Sequence, residues 1–179
     1  MPSRLDEFAP VLEPVLRPGE VVLALPDVTY ILGDEVTVEP MPGLVDDLDH
    51  VDLPEQSLVE TFWGLVTGET LVGHPGSCAT SLRDAVADAP LGADGDLVLT
   101  DQRLLVVDKL AAAPVVTWEC ERRHVAAAKV TSGIGFAGRV VILFVDNSGI
   151  SLLLGIVRRS AAQQLVAELT KTARNASVA

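Results

Sequence analysis

Basic side chains are scarce in the first half of this chain: residues 1–95 carry Arg4, Arg17 and Arg83 against eighteen acids. The remaining residues hold ten basic and seven acidic groups, so the formal net charge is -12. A chain this negative repels a phosphate backbone, which sets nucleic acid aside as a partner. Cysteine is nearly absent. Cys78 and Cys120 are too few and too widely spaced for a disulfide framework or a zinc site, and read as small buried hydrophobes. The histidines His50, His74 and His124 are scattered. The acidic stretch "DDLDH" (Asp46 to His50) lacks the glycine and glutamate spacing of a calcium loop. No metal and no cofactor is expected.

Long apolar runs are missing too. "VVILFV" and "ISLLLGIV" are less than half of the roughly 20 residues that a membrane-spanning helix needs. The opening "MPSRLDEFAPVLEPVLRPGE" has acids and prolines where a secretory leader has a basic segment and an apolar stretch. The expectation is a soluble, cytoplasmic protein. Apolar residues themselves are plentiful, at 49% with a mean hydropathy of +0.37, enough for a packed core in one domain.

"GEVVLALP" reads as a strand closed by Pro26, and "VTYIL" and "EVTVE" as two further β-rich pieces. Met41 to Gln56, rich in Pro, Gly and Asp, reads as loop. In "LVETFWGLVTGETLVG", aromatic and β-branched residues broken by Gly64 and Gly68 predict a hairpin. In "VGHPGSCATSLRDAVADAP", Ala79, Leu82, Val86 and Ala89 share one helical face. Ser77 stands where it would cap that helix, and Pro90 where it would stop it. From Gly95 the pattern becomes short β-type runs: "DLVLT", "RLLVVD", "PVVTWEC", "HVAAAKVT", "RVVILFVD" and "ISLLLG". "TDQ" joins the first two and "DNSG" the last two. A final helix is predicted behind Ser160 as N-cap, with Ala162, Leu165, Val166, Leu169 and Ala173 as its apolar stripe.

The run Leu97-Val98-Leu99-Thr100-Asp101-Gln102-Arg103-Leu104-Leu105-Val106, followed by strands and a terminal helix, resembles the bacterial branch of pleckstrin-homology-like domains, related in pattern to GRAM domains. "RPGEVVLAL" (residues 17–25) resembles the strand that opens them. The resemblance covers residues 96–175 and that opening strand. It implies an α+β fold of mostly antiparallel strands, a small barrel or sandwich capped by a C-terminal helix. Residues 1–18 would be an arm. Residues 19–176 would form one domain with an acidic elaboration at 27–95 containing one further helix, where the family has a short connection. The resemblance implies binding or scaffolding and no catalysis, and it transfers no ligand.

Three local features compete with that reading. Cys78 at a helix start, with His74 four residues earlier, has the makings of a nucleophile and base, but no residue is identifiable to orient the base. "GIGFAG" (Gly133 to Gly138) matches a dinucleotide fingerprint literally, yet it leads into a β-type run where the mechanism requires a helix N-terminus. What remains is a flexible loop presenting Ile134 and Phe136 between Lys129 and Arg139, suited to a membrane surface or a partner groove. Arg122, Arg123, Arg158 and Arg159 would join Arg139 in an anion site if the barrel gathered them; the alternative is solvated surface. The reading is a non-enzymatic module that docks a protein partner or a second copy of itself, by a sheet edge or the N-terminal elaboration. Peripheral binding of anionic lipid or a small anion, through the Gly133–Gly138 loop and its cations, is the alternative.

Overall fold

A computed structural model describes residues 4–38, 55–87, 95–108, 113–132, 138–154 and 159–176. Two antiparallel meanders form its frame. One comprises β5 (Gly95–Thr100), β6 (Arg103–Asp108) and β7 (Val115–Glu121); the other comprises β8 (Val125–Ser132), β9 (Gly138–Phe144) and β10 (Gly149–Leu154). The opening run supplies β1 (Val22–Ala24) and β2 (Asp27–Thr29), interrupted at Pro26, which has no N–H to give to a ladder. The Pro26 carbonyl still accepts from Leu97 N–H at 3.2 Å. β2 joins the meanders: Asp27 and Val28 pair with Asp96 and Gly95 of β5, while Val28 and Thr29 pair with Leu154 and Leu153 of β10. β7 and β8 end the two meanders and do not pair among the described residues, so the sheet is a sandwich-like wrap and no closed barrel.

Between β2 and β5 the chain inserts β3 (Asp34–Thr37), α2 (Glu55–Thr67), β4 (Glu69–Gly73) and α3 (Cys78–Ala87). β4 pairs antiparallel with Gly149 and Ile150 of β10, and β3 runs parallel to β4 as the outermost strand. The predicted hairpin over residues 58–73 is therefore corrected to helix then strand, and Glu55 and Gln56 are helical where loop was expected. Gly64, read as a turn residue, instead gives room for the Glu69 side chain, which a β-carbon there would strike. Gly68 ends the helix at φ +149°, its N–H reaching the Gly64 carbonyl at 3.2 Å. Positions 41–54 and the predicted stop at Pro90 lie outside the described residues.

The main core lies inside the wrap. Leu97, Leu99, Leu104, Val106 and Cys120 come from one meander; Val140, Ile142, Phe144, Ile150, Leu152 and Leu154 come from the other. Ala79, Leu82 and Val86 of α3 and Ala162, Leu165 and Leu169 of α4 (Arg159–Ala176) fill the space between them. α4 starts at Arg159, so Ser160 lies in its first turn and is not the residue ahead of it. The outer faces are covered as well. α1 (Arg4–Leu12) and the 3-10 turn Glu13–Val15 lay Leu12, Val15 and Leu16 over Val98, Leu105 and Val107. α2 lays Leu65 and Phe62 over Val141 and Leu143. Double-sided burial explains why "LVL", "LLVV" and "VVILF" are continuous apolar runs and do not alternate.

Candidate interaction surface

The Thr-Asp-x-Arg turn is spent on structure. Thr100 Oγ1 accepts from the backbone N–H of Gln102 (3.1 Å) and Arg103 (2.9 Å), and its hydroxyl donates to Glu20 Oε1 at 2.7 Å. Arg103 grips Glu20 with two bonds of 2.8 Å, reaches the Val15 carbonyl at 3.0 Å and meets Glu119. Asp101 exchanges bonds with Val21, its N–H giving to Val21 O and its Oδ1 accepting Val21 N–H. The Glu20 side chain is fully enclosed and that of Arg103 is 6% exposed. Burial pushes the Glu20 carboxyl upward, but the bonds from Arg103, the Arg17 N–H and Thr100 outweigh it and hold the group at about 2. The turn thus clamps the N-terminal arm onto β5–β7.

The start of α3 resolves the histidine–serine–cysteine cluster. Ser77 Oγ accepts from Thr80 N–H, and Thr80 Oγ1 donates to the His74 carbonyl, an ordinary N-cap. Asp146 Oδ2 accepts Cys78 N–H at 2.7 Å, and Ser148 Oγ accepts Ala79 N–H at 3.1 Å. The anion position at this helix end is therefore filled by the protein's own carboxylate. A hydrogen bond to Cys120, burial and the Asp146 charge all push the Cys78 thiol up, opposite to what a nucleophile requires. His74 Nδ1 faces the Pro75 carbonyl at 3.1 Å.

The proposed cations occupy different places. Arg122 is buried; its Nη1 donates to Thr100 O at 3.3 Å and its Nη2 to Glu168 O of α4, while Nε meets no acceptor among the described residues. Burial pushes its guanidinium downward against Glu168 and Asp101. It pins the last helix to the β5–β6 turn. Arg123 points outward, beside Glu121 at 3.1 Å. Lys129 and Arg139 share the outer face of β8–β9, because Lys129 lies two residues from Thr131, the partner of Arg139. Lys129 Nζ sits 5.0 Å over the Phe62 ring, while Arg139 bonds Ser151 Oγ and the Glu69 carbonyl. Arg159 opens α4; Ile134, Phe136 and Arg158 lie outside the described residues.

The elaboration carries the open surface. All four residues of β3 are exposed, and its far edge meets no strand among the described residues. Just before it come Leu32, 83% exposed, and Ile31, 51% exposed. β3 is held from within. Glu35 accepts from the Tyr30 hydroxyl and from Arg83 Nη1, each at 2.7 Å, tying the strand to α3. Burial, then the hydrogen bond it gives to Glu35, push the Tyr30 phenol up to about 12. On α2, Trp63 and Val66 add exposed apolar area. Sequence reasoning missed Glu20 as a clamp and missed β3 as an edge. Both depend on pairings across the chain that no local pattern announces. No family model, curated protein or solved structure matches the chain.

Proposed function

We propose that this chain is a non-enzymatic interaction module of pleckstrin-homology-like type, and that it docks an extended, positively charged segment of a partner protein along β3. The observation that carries the reading is the exposed edge strand: unpaired N–H and C=O groups are a template for a further strand. Leu32 and Val36 supply apolar contacts on either side of Asp34 and Glu35. The excess of acids over residues 1–95 selects a basic segment. Two antiparallel meanders in a sandwich-like wrap, with a helix at the end, support the kinship. The raised Cys78 thiol supports the absence of catalysis.

The test is capture from the protein's own cell extract, by wild type and by a Leu32→Lys/Val36→Lys variant, with native mass measurement of both and flotation with anionic vesicles. A protein held by wild type, released by salt and lost in the variant is expected. Equal capture by both proteins, a strict monomer without a partner, a homodimer, or vesicle retention at low salt would each overturn the reading, the last in favour of lipid binding around Lys129 and Arg139.

A further inference from the structure

The outer faces of the meanders are covered unequally. The arm lies over β5–β7 and α2 over β4, β10 and β9, while β8 lies past the flank of α2, at the end of the run β3–β4–β10–β9–β8. The outward residues of β8 are Ala127, Lys129 and Thr131; the first two are exposed and the third is half-buried. On the facing flank of α2, Phe62 lies under Lys129 Nζ at 5.0 Å. Val66, one turn further on, is 37% exposed, and Trp63, 58% exposed, stands edge-on to Phe62 with ring centroids 5.9 Å apart. Glu60, four residues before Gly64, shares with it the opposite flank, where the Glu69 side chain lies. Lys129 and Arg139 are diagonal neighbours across β8 and β9. Among the described residues no carboxylate pairs with either: Lys129 meets the Phe62 ring, and Arg139 bonds Ser151 Oγ and the Glu69 carbonyl. In a chain of net charge -12, two adjacent cations without a carboxylate, beside an exposed tryptophan, stand out.

We propose that this shelf between α2 and β8 is a second docking surface, opposite in sign to the β3 edge, and that its occupant is an acidic amphipathic helix of a partner protein. A helix laid beside α2, at the about 8–10 Å spacing of packed helices, would extend the layer that α2 begins. Its apolar stripe would rest on Ala127, Trp63 and Val66, and carboxylates along its edge would reach Lys129 and Arg139. Ala127 is small enough to let the helix settle close to the strand, and Trp63 supplies the large anchor typical of a binding centre. Charge also separates this occupant from a lipid surface. An anionic bilayer would meet the field of the whole chain at -12, whereas a narrow helix meets chiefly the two cations. β3 and β8 end one run of strands on opposite sides, so this inference does not rest on docking along β3.

The experiment titrates the full-length chain at low salt with synthetic helical peptides that share one leucine stripe and carry glutamate, glutamine or lysine on the remaining face. Calorimetry reads affinity, and tryptophan emission reads place, because Trp63 is exposed while Trp118 packs against the core. The glutamate peptide should bind about tenfold or more tighter than the glutamine peptide, lose affinity with added salt, and shift the emission to shorter wavelength. Lys129→Glu and Trp63→Ser, both at exposed positions, should keep the circular dichroism of wild type and each weaken binding about tenfold or more. The Leu32→Lys/Val36→Lys variant should bind as wild type does. Failure of every peptide to bind, equal binding of the glutamate and lysine peptides, or full affinity in Lys129→Glu would overturn the proposal. So would loss of binding in the Leu32→Lys/Val36→Lys variant, self-association of the chain that Trp63→Ser abolishes, or the same emission shift produced by anionic vesicles.

Discussion

Replacing Glu20 with glutamine tests the clamp between arm and sheet. The substitution keeps the shape of the side chain and removes its charge, leaving the enclosed Arg103 guanidinium with Glu119 and the Val15 carbonyl. The loss can be estimated in two ways. Breaking a buried ion pair by removing one partner costs about 3–5 kcal/mol, and the surviving contacts of Arg103 favour the lower end. Independently, the fall of the Glu20 carboxyl from its ordinary 4.5 to about 2 corresponds to about 3 kcal/mol at ~1.4 kcal/mol per unit. A depressed carboxyl stabilises fully above its unfolded value, and that contribution drains away as pH falls from about 4.5 through about 2. Urea unfolding followed by tryptophan fluorescence should therefore show Glu20→Gln about 3 kcal/mol less stable at neutral pH. The gap between the two proteins should narrow across that acid window. A loss below about 1 kcal/mol at neutral pH, or a gap that stays constant through the window, would refute the reasoning.

Leu12, 1% exposed on the arm's inner face, should cost about 2–4 kcal/mol when changed to alanine, with dye binding to the uncovered Val98–Leu105–Val107 face as a second readout. Gly149→Ala places a methyl 2.5 Å from Leu65 Cδ1 and 2.7 Å from Leu143 Cδ2. It should therefore lift α2 and destabilise by about 1–3 kcal/mol in thermal unfolding. Alkylation of Cys78 in the folded protein should be slow at neutral pH and accelerate toward alkaline pH; a rate equal to that of the unfolded chain would contradict the raised thiol.

The six strands from β5 to β10 and the last helix were legible because β-branched runs, turn residues and a 3.6-residue stripe all act locally. α3 was legible for the same reason: its cap and apolar face lie within ten consecutive residues. α2 was not, because Gly64 and Gly68 carry opposite meanings. One makes room for Glu69 in mid-helix and only the other is a terminator. The arm hid because its value lies in what it covers: Leu12, Val15 and Leu16 find their partners on strands far along the chain. The same applies to Glu20. Among the described acids of that half Glu20 is the buried one, and only the distant Thr100–Arg103 turn marks it. Arg122 shows the converse. A basic doublet that reads as surface sends one member inward, because the Thr100 and Glu168 carbonyls await it.

The inserted stretch leaves the sheet at β2 and returns at β5, and those two strands are bonded neighbours. Its ends are therefore stitched together by the frame, so lengthening the excursion costs little in chain entropy. Shortening it does not come so cheaply, because Ala79, Leu82 and Val86 plug the hollow between the meanders. The excursion has become a keystone: trimming its outer tip should leave the frame standing, while cutting back to α3 should bring it down.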